Sequence, residues 1–294
     1  MASAFFVLNI AISCDKILVI FIEKVIFMLA NYHTHTTFCD GKNTAEEVVL
    51  SAIENGFDAI GFSGHGYTDF DTSYCITDMK EYIFTINSLK EKYKNDIQIY
   101  IGVEEDCFCL CDRADFDYII GSSHYLKMPD GMIRATDLSR EYFEQCIEMY
   151  GGDILKLAEG YYMRFCEYIK KRKPDIVGHF DIITKYDENE SPRFLTNDKY
   201  MKMAENYMKE ALSADVIFEV NTGAIARGYR TNPYPQENLL HLMKKEDAKL
   251  VLSSDSHSAD ILDFGFDEAK KMLLDIGFKH TYVLYNGEWI KDEI

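Results

Sequence analysis

The chain is poor in proline, in basic side chains and in long apolar runs. Five prolines in 294 residues leave little material for a proline-rich linker, and no repeat or low-complexity stretch divides the sequence, so one large α/β domain is expected. Thirty-one basic residues against 49 acidic ones give a formal charge of −18. Because so acidic a surface repels a phosphate backbone, long nucleic acids are disfavoured as partners.

The N-terminal residues 1–27 are strongly apolar, but charged pairs at 15–16 and 23–24 interrupt them. No apolar run therefore reaches the roughly 18 residues of a membrane-spanning helix. The start MASAFF also lacks the basic residues of a secretory signal. We predict that residues 1–27 are upstream sequence or a poorly integrated extension, with a membrane anchor as the less favoured alternative. The first strand is expected to begin near Met28.

Eight cysteines are present, and 47 % of the residues are hydrophobic. A chain that can form its own core does not need a disulfide scaffold, so reduced thiols and a cytoplasmic location are expected. Cys107, Cys109 and Cys111 form the cluster CFCLC, whose spacing allows metal binding. Closed thiolate zinc sites usually contain Cys-x-x-Cys pairs, however. Ordinary thiols on a loop or short strand are therefore the favoured interpretation.

Short apolar runs alternate with amphipathic segments along the rest of the chain. Continuous apolar strands separated by helices indicate a parallel sheet buried on both faces, and seven of them suggest a closed or nearly closed barrel. The segments at 44–56 and 76–93 have helical spacing, and residues 281–289 are a possible late strand. The seven runs are MLANYH (28–33), FDAIGFS (57–63), IQIYIGV (97–103), FDYIIGS (116–122), PDIVGHF (174–180), DVIFEVN (215–221) and KLVLSSD (249–255).

Histidine and carboxylate side chains stand where these strands end. In parallel barrels the carboxyl ends of the strands carry the chemistry, and six of the eight histidines fall there; His241 and His280 do not, and are read as surface or packing residues. Imidazole and carboxylate together suit zinc, manganese and iron, and so many donors fit two or three ions better than one. The residues at the strand ends are His33, His35, His65, Glu104, His124, His179, Asn221, Arg227, Asp255 and His257.

The motifs HTH, GHG, GVE, SSHY, GHFD and SDSH, in this order, resemble those of the polymerase-and-histidinol-phosphatase (PHP) domain. The stretch EVNTGAIARGYRTNPYPQENLL resembles its histidinol-phosphatase branch. The resemblance implies a distorted (β/α)7 TIM-like barrel over residues 28–294 with a trinuclear metal site. It also implies three sets of ligands. These are His33, His35 and Asp255, with Glu104 as a bridge; His124 and His179 on the second ion; and Asp40, His65 and His257 on the third.

The resemblance implies a metal-dependent phosphomonoesterase that hydrolyses L-histidinol phosphate, a small phosphorylated partner, in histidine biosynthesis. The chemistry agrees, because a metal-bridging water loses its proton near neutral pH and supplies a hydroxide nucleophile. Two alternatives stay open. One is a PHP phosphoesterase acting on a nucleotide, a short oligonucleotide or phosphotyrosine. The other is a non-catalytic barrel with structural metals.

Several residues are candidates for contact with the substrate. An arginine can neutralise phosphoryl oxygens bidentately, and Arg227 is the first choice, with Arg193 and Arg230 in reserve. Proton delivery to the leaving group is expected from Asp255, His257 or metal-bound water. The candidates for the amine and imidazole of the substrate are Glu105, Asp106 and Phe38. Asp181 either orients a ligand histidine or begins a helix.

Overall fold

The computed structural model describes residues 28–188 and 192–294, so the expectation for residues 1–27 lies outside the described residues. The strands of the described ranges are β1 (Ala30–Asn31), β2 (Ala59–Phe62), β3 (Gln98–Asp106), β4 (Tyr118–Ser122), β5 (Tyr125–Lys127), β6 (Ile133–Ala135), β7 (Ile176–Val177), β8 (Ile217–Asn221), β9 (Lys249–Ser253), β10 (His280–Tyr285) and β11 (Glu288–Glu293). The helices are α1 (Ala45–Glu54), α2 (Met79–Lys92), α3 (Arg140–Met149), α4 (Ile154–Arg172), α5 (Asp198–Leu212), α6 (Gly223–Ala226), α7 (Glu237–Lys245) and α8 (Phe266–Ile276).

Seven parallel strands form the central sheet in the order β1-β2-β3-β4-β7-β8-β9. The chain just after β1 then meets the chain just after β9. His35 N donates to Ser256 O at 2.8 Å, and Ser256 N donates to His33 O at 3.0 Å. These bonds close the barrel at the carboxyl end of its strands. Six of the strands lie within their predicted apolar runs, and β3 extends three residues beyond the run at 97–103. The predicted distorted (β/α)7 barrel is confirmed.

Tyrosine side chains fill the barrel interior beneath the carboxyl ends. Tyr118 donates its hydroxyl hydrogen to Tyr32 O at 2.5 Å, and its ring lies against Gly102, where a Cβ atom would come within 2.3 Å of the ring. Tyr118 can cross the barrel only because residue 102 has no side chain. Tyr32, Tyr100 and Tyr118 form an aromatic cluster of edge-on pairs. The interior is therefore a packed floor, as expected for a barrel core.

The predicted late strand at 281–289 is a hairpin outside the barrel sheet. Residues Asn286 and Gly287 have φ values of +51° and +80°, and they connect β10 to the antiparallel β11. An Asn-Gly pair of this kind is the usual two-residue hairpin turn. The hairpin is fixed to the barrel floor, because the Tyr32 hydroxyl donates to Leu284 O at 2.8 Å and accepts from Leu284 N at 2.9 Å.

The helices pack around the sheet, and the two that the sequence predicts begin at capping residues. Thr44 and Glu47 form a reciprocal capping box at the start of α1, and Asp78 accepts from Glu81 N at 3.0 Å at the start of α2. Both predicted helices are thus confirmed, and each satisfies amide groups that a helix start leaves unpaired. Among residues 28–188 and 192–294, no helix combines the length and apolarity needed to cross a membrane.

Candidate metal centre

The barrel brings together all nine side chains that the sequence marks as candidate metal ligands. They follow or end six of the seven strands at the carboxyl end of the barrel, where the closed sheet makes the loops converge. The donor atoms of overlapping subsets lie within 4.8 Å of one another. The subsets are His35, Asp40, His65 and His257; His33, His179 and Asp255; His33, His35 and Glu104; and His65, Glu104 and His124. The cluster can bind metal ions, while the role of each ligand stays a prediction.

Glu104 lies at the centre of the cluster and is 2 % exposed. Its Oε1 atom is 2.9 Å from His179 Nε2 and 3.3 Å from His124 Nε2. Its Oε2 atom is 2.9 Å from His65 Nδ1 and 3.3 Å from His33 Nε2. The two oxygens thus face different imidazoles, which is the arrangement that a carboxylate bridging two cations requires.

Four buried atoms of the cluster have no hydrogen-bond partner within the described residues. One is His179 Nδ1, and the three that lie close together at the centre are His33 Nε2, His35 Nε2 and Glu104 Oε2, whose short nitrogen–oxygen contacts lack hydrogen-bond geometry. Glu104 Oε2 lies 3.6 Å from His35 Nε2, and Asp255 Oδ1 lies 3.2 Å from the same nitrogen. Buried polar atoms in native proteins are nearly always paired. Unpaired atoms that converge on one point, next to carboxylates, fit a cation as the missing partner.

The outer end of the cluster opens towards solvent. Asp40 is the most exposed ligand candidate, with 36 % of its side chain exposed. Its carboxylate is 3.2 Å from His257 Nε2, 3.6 Å from His65 Nε2 and 3.5 Å from His35 Nδ1. One carboxylate among three imidazoles is a donor set that zinc, manganese or iron can accept.

Two ligand candidates, His35 and Asp255, are held in their metal-binding forms, whereas neighbouring carboxylates outweigh burial and raise the pKa of His33, His65 and His124, which would release protons when ions bind. Burial and the neighbouring His257 and His65 lower the pKa of His35 to about 3, so its imidazole is neutral and can ligate a metal. Burial opposes ionisation of Asp255, but Arg227 and the facing imidazoles outweigh it and hold the pKa of Asp255 well below its usual range. The anionic carboxylate and neutral imidazole are the forms that bind divalent cations.

Arg227 is brought to the cluster, as its position after β8 suggests. Its Nη2 atom donates to Asp255 Oδ2 at 2.9 Å, and Nη1 lies 3.0 Å from His257 Nδ1. Nη1 also donates to the backbone oxygen of Asp255 at 3.1 Å. Asp255 has a φ of +49°, a conformation that persists in a non-glycine residue only when its surroundings enforce it. The hydrogen bonds from Arg227 help to hold Asp255 in this conformation.

The reserve arginines are held elsewhere. Arg193 forms a bidentate pair with Glu144, at 2.9 and 2.6 Å, so the structure does not support the expectation that it binds substrate. Arg230 donates to Glu188 and Thr184 and is 4 % exposed. Both guanidinium groups already pair with residues that are distant in the sequence, so these pairs could not be predicted from it.

The expectation that Glu105 contacts the substrate is also not supported. Its carboxylate accepts from Tyr168 at 2.7 Å, from Arg172 at 2.8 and 2.7 Å, and from Cys111 N at 2.7 Å. Because successive side chains of a strand point to opposite faces, Glu105 faces α4 while Glu104 faces the barrel interior. All of its strong acceptor positions are used there.

The remaining weaker candidates have structural contacts. Phe38 packs edge-on against Tyr82 in the core, with ring centres 5.4 Å apart. Asp106 accepts from His124 N at 2.8 Å, which fixes the backbone of a ligand candidate. Asp181 accepts from Gln236 N at 3.1 Å and precedes the 3-10 turn Ile182–Thr184.

The cysteine cluster lies on a loop, one of the two placements that the sequence predicts. Cys107, Cys109 and Cys111 are free thiols that follow the end of β3. Within the part of the chain that the structure describes, no cysteine belongs to a group of potential metal ligands. Thiolate coordination at this loop is therefore not supported.

Two features next to the cluster are absent from the sequence-based expectations. Glu219 places Oε1 2.6 Å from His33 Nδ1; the available signal was a lone carboxylate inside the apolar run DVIFEVN. A cavity of about 210 Å³ also adjoins the cluster. Its lining residues beyond Asp40, His65 and His124 are Asp71, Ser73, Tyr74, Tyr125, Ala135, Asp137, Leu138 and Lys185.

A closed parallel barrel with this cluster at its carboxyl end defines a metal-binding α/β-barrel protein. The PHP domain family matches residues 31–223, which is more than half of the chain. The chain belongs to the PHP domain family.

Relatives cover most of the chain. It is 26 % identical over 278 residues to a probable histidinol-phosphatase of Schizosaccharomyces pombe, covering 87 % of this chain and 89 % of the relative. It is also 26 % identical over 266 residues to the histidinol-phosphatase of Bacillus subtilis, covering 80 % and 96 %. The fold is similar to that of the histidinol phosphate phosphatase of Lactococcus lactis, crystallised with zinc, L-histidinol and phosphate, with a TM-score of 0.66, 20 % identity, and coverage of 90 % and 99 %.

Replacing His35 with alanine should lower bound metal and turnover together. The variant removes a donor that lies between the inner and outer ligand groups, so metal affinity should fall by at least about 100-fold, since even indirect contacts to ligands contribute 10–100-fold. Metal content by elemental analysis and phosphatase activity are the readouts. The matched control is His241→Ala on the exposed surface of α7, which should change neither. A His35→Ala protein with full metal content and turnover would contradict the site.

Proposed function

We propose that this protein is a metal-dependent phosphomonoesterase that hydrolyses L-histidinol phosphate to L-histidinol and phosphate, in the cytoplasm, as a step of histidine biosynthesis. The observation that carries the proposal is the convergence of unpaired, buried donor atoms of His33, His35 and Glu104 beside Arg227 and an open cavity. The substrate is suggested by the names of relatives that match nearly the whole length of the chain. Free thiols in the described residues fit a reducing compartment.

The proposed metal centre holds two or three divalent ions, zinc, manganese or iron. His33, His35 and Asp255 would hold one ion and Glu104 would bridge it to a second. The other proposed ligands are His124 and His179 for the second ion, and Asp40, His65 and His257 for the third. When bound, such ions make hydroxide available from water near neutral pH and offset charge on the attacking and leaving oxygens.

Arg227 is the proposed phosphate-binding residue. It reaches the cluster from outside the ligand set, and its planar guanidinium can donate two parallel hydrogen bonds to phosphoryl oxygens. Asp255 holds it in place in the structure, so the charge needs little reorganisation when substrate binds. His257, which lies 3.0 Å from Arg227 Nη1, is the proposed proton donor to the leaving alcohol. Asp255 was the other candidate, but its carboxyl group is held ionised beside Arg227 and has no proton to give.

The cavity next to His65 and His124 is the proposed place for the rest of the substrate. Histidinol carries an ammonium group and an imidazole ring, and the cavity offers tyrosine rings with an acidic group at Asp137. Burial opposes ionisation of Asp137, but Lys185 and nearby imidazoles keep its pKa below the usual value. Asp137 is therefore an anion that can receive an ammonium group. Its one partner of opposite charge here is Lys185, at 3.3 Å within the described residues.

Replacing Arg227 with lysine should lower kcat/KM for L-histidinol phosphate by about 100-fold, as expected for the loss of one preorganised donor to developing phosphoryl charge. The matched control is Arg193→Lys, a change of the same chemistry at a surface pair, which should leave kcat/KM within about twofold. The measurement is the steady-state kinetics of the two variants. Equal losses of kcat/KM would contradict the proposal that Arg227 binds the phosphoryl group.

Replacing Asp137 with asparagine should raise KM for L-histidinol phosphate about tenfold, because the substrate ammonium loses a charged partner worth roughly 1.5 kcal/mol. The comparison substrate is p-nitrophenyl phosphate, which has no cation, and its kinetics should stay nearly unchanged. A similar loss on both substrates would show that Asp137 acts on the metal centre or the fold and not on the substrate amine.

The chelator experiment tests the proposed function against a barrel with structural metals. Dialysis against a strong chelator should abolish L-histidinol phosphate hydrolysis, and Mn²⁺ or Zn²⁺ should restore it, because the ions take part in the reaction. Circular dichroism before and after dialysis controls for unfolding. Activity that persists in folded, metal-free protein would contradict the proposal. Restored activity confined to nucleotide or phosphotyrosine esters would favour another PHP phosphoesterase.

A further inference from the structure

We infer that Glu219 is a positioning residue that fixes the tautomer of His33, so that His33 presents a bare Nε2 atom to the metal centre. This inference rests on the proposed metal centre, and it assigns a role to a side chain that is not itself a proposed ligand. Glu219 lies in β8, between Ile217 and Asn221 on the inward face of the strand, and it is fully buried next to a fully buried His33.

The contacts of the Glu219 carboxylate show which neighbouring atoms must carry a hydrogen. Oε2 accepts from His179 N at 2.8 Å and from Asn221 Nδ2 at 2.9 Å. Oε1 lies 2.6 Å from His33 Nδ1. An ionised carboxylate only accepts hydrogen bonds, so this contact requires a hydrogen on His33 Nδ1.

A hydrogen on Nδ1 determines the state of Nε2, at the other side of the His33 ring. A metal ligand must be a neutral imidazole, and when the remaining hydrogen is held on Nδ1 the lone pair is on Nε2. His33 Nε2 is the buried, unpaired atom that lies 3.3 Å from Glu104 and 3.6 Å from Asp255. Glu219 therefore selects the ring form that can bind a cation between these two carboxylates. A carboxylate that holds the second nitrogen of a metal-binding histidine is a known means of raising metal affinity.

The same carboxylate links three strands of the barrel. It holds His33 after β1, the backbone of His179 after β7, and Asn221 at the end of β8. A defect at Glu219 should therefore affect the inner ions, to which His33 and His179 are assigned. The outer group of Asp40, His65 and His257 has no contact with Glu219 among the bonds described.

A Glu219→Gln variant tests the tautomer directly, because its shape is nearly unchanged. The amide oxygen can accept from both His179 N and Asn221 Nδ2 only if the amide nitrogen faces His33. That nitrogen is a donor, so it would draw the Nδ1 lone pair of His33 and leave hydrogen on Nε2. The Nε2 atom would then face the metal centre with a hydrogen in place of a lone pair.

The experiment is a competition titration of metal-free protein with Zn²⁺ against a chromophoric chelator, with Co²⁺ absorption spectra as a second readout. Glu219→Gln should bind the inner ion 10–100-fold more weakly than wild type and change the Co²⁺ spectrum. The double variant His33→Ala/Glu219→Gln should bind Zn²⁺ as weakly as His33→Ala alone, because both substitutions disable the same donor atom, His33 Nε2. An unchanged titration, or fully additive losses, would overturn the inference.

The matched control is Glu105→Gln. Glu105 is equally buried, but it faces Arg172 and Tyr168, so this variant should lose folding stability and keep its metal affinity. If Glu219→Gln does not fold, Glu219→Asp replaces it, since the shorter side chain withdraws from His33 while keeping its charge; it should weaken Zn²⁺ binding more than Glu105→Asp does. Wild-type protein that binds no metal would refute the proposed function itself, whereas metal-binding wild type with an unaffected variant would refute only the role of Glu219.

Discussion

The burial of Glu104 among imidazoles is the interaction on which the structure of the site depends. A carboxylate in a protein interior costs several kcal/mol unless partners compensate it. Here burial opposes ionisation of Glu104, yet the surrounding imidazoles, led by His124 and His33, keep its pKa well below the usual range. Part of the compensation is nevertheless missing, because Glu104 Oε2 has no hydrogen-bond partner among the described residues. Divalent cations would complete it, so the arrangement is best understood as a preformed metal centre.

The barrel supplies the rigidity that this arrangement needs. Tyr118 crosses the interior over Gly102 and gives the cluster a packed floor. The bonds between His35 and Ser256 join the first and last strands at the level of the ligands. Arg227 and the surrounding backbone hold Asp255 in a conformation with positive φ. Each of these features limits the movement of donors whose separation must match an ion to within a few tenths of an ångström.

The seven continuous apolar runs predict a barrel, and the polar residues at their ends predict most of the side chains that gather there. The full ligand set, with Asp40, comes from the resemblance to the PHP domain. Alternation along β3 could also have separated Glu104 from Glu105, since neighbours in a strand face opposite ways. The partners of Arg193 were not predictable, because Glu144 is 49 residues away in sequence. The role of Glu219 and the cavity at Asp137 likewise depend on long-range packing. Such contacts appear only when the strands are placed beside one another.

The most direct test of the account is kcat/KM of the metal-loaded protein on L-histidinol phosphate, measured beside a panel of nucleotide, sugar and tyrosine phosphates. A centre that binds the phosphoryl group through its ions and Arg227, and the amine through Asp137, should prefer L-histidinol phosphate by about 10³-fold, or roughly 4 kcal/mol of differential transition-state binding. Uniformly slow turnover across the panel would contradict the assigned substrate and leave only a phosphoesterase of another specificity.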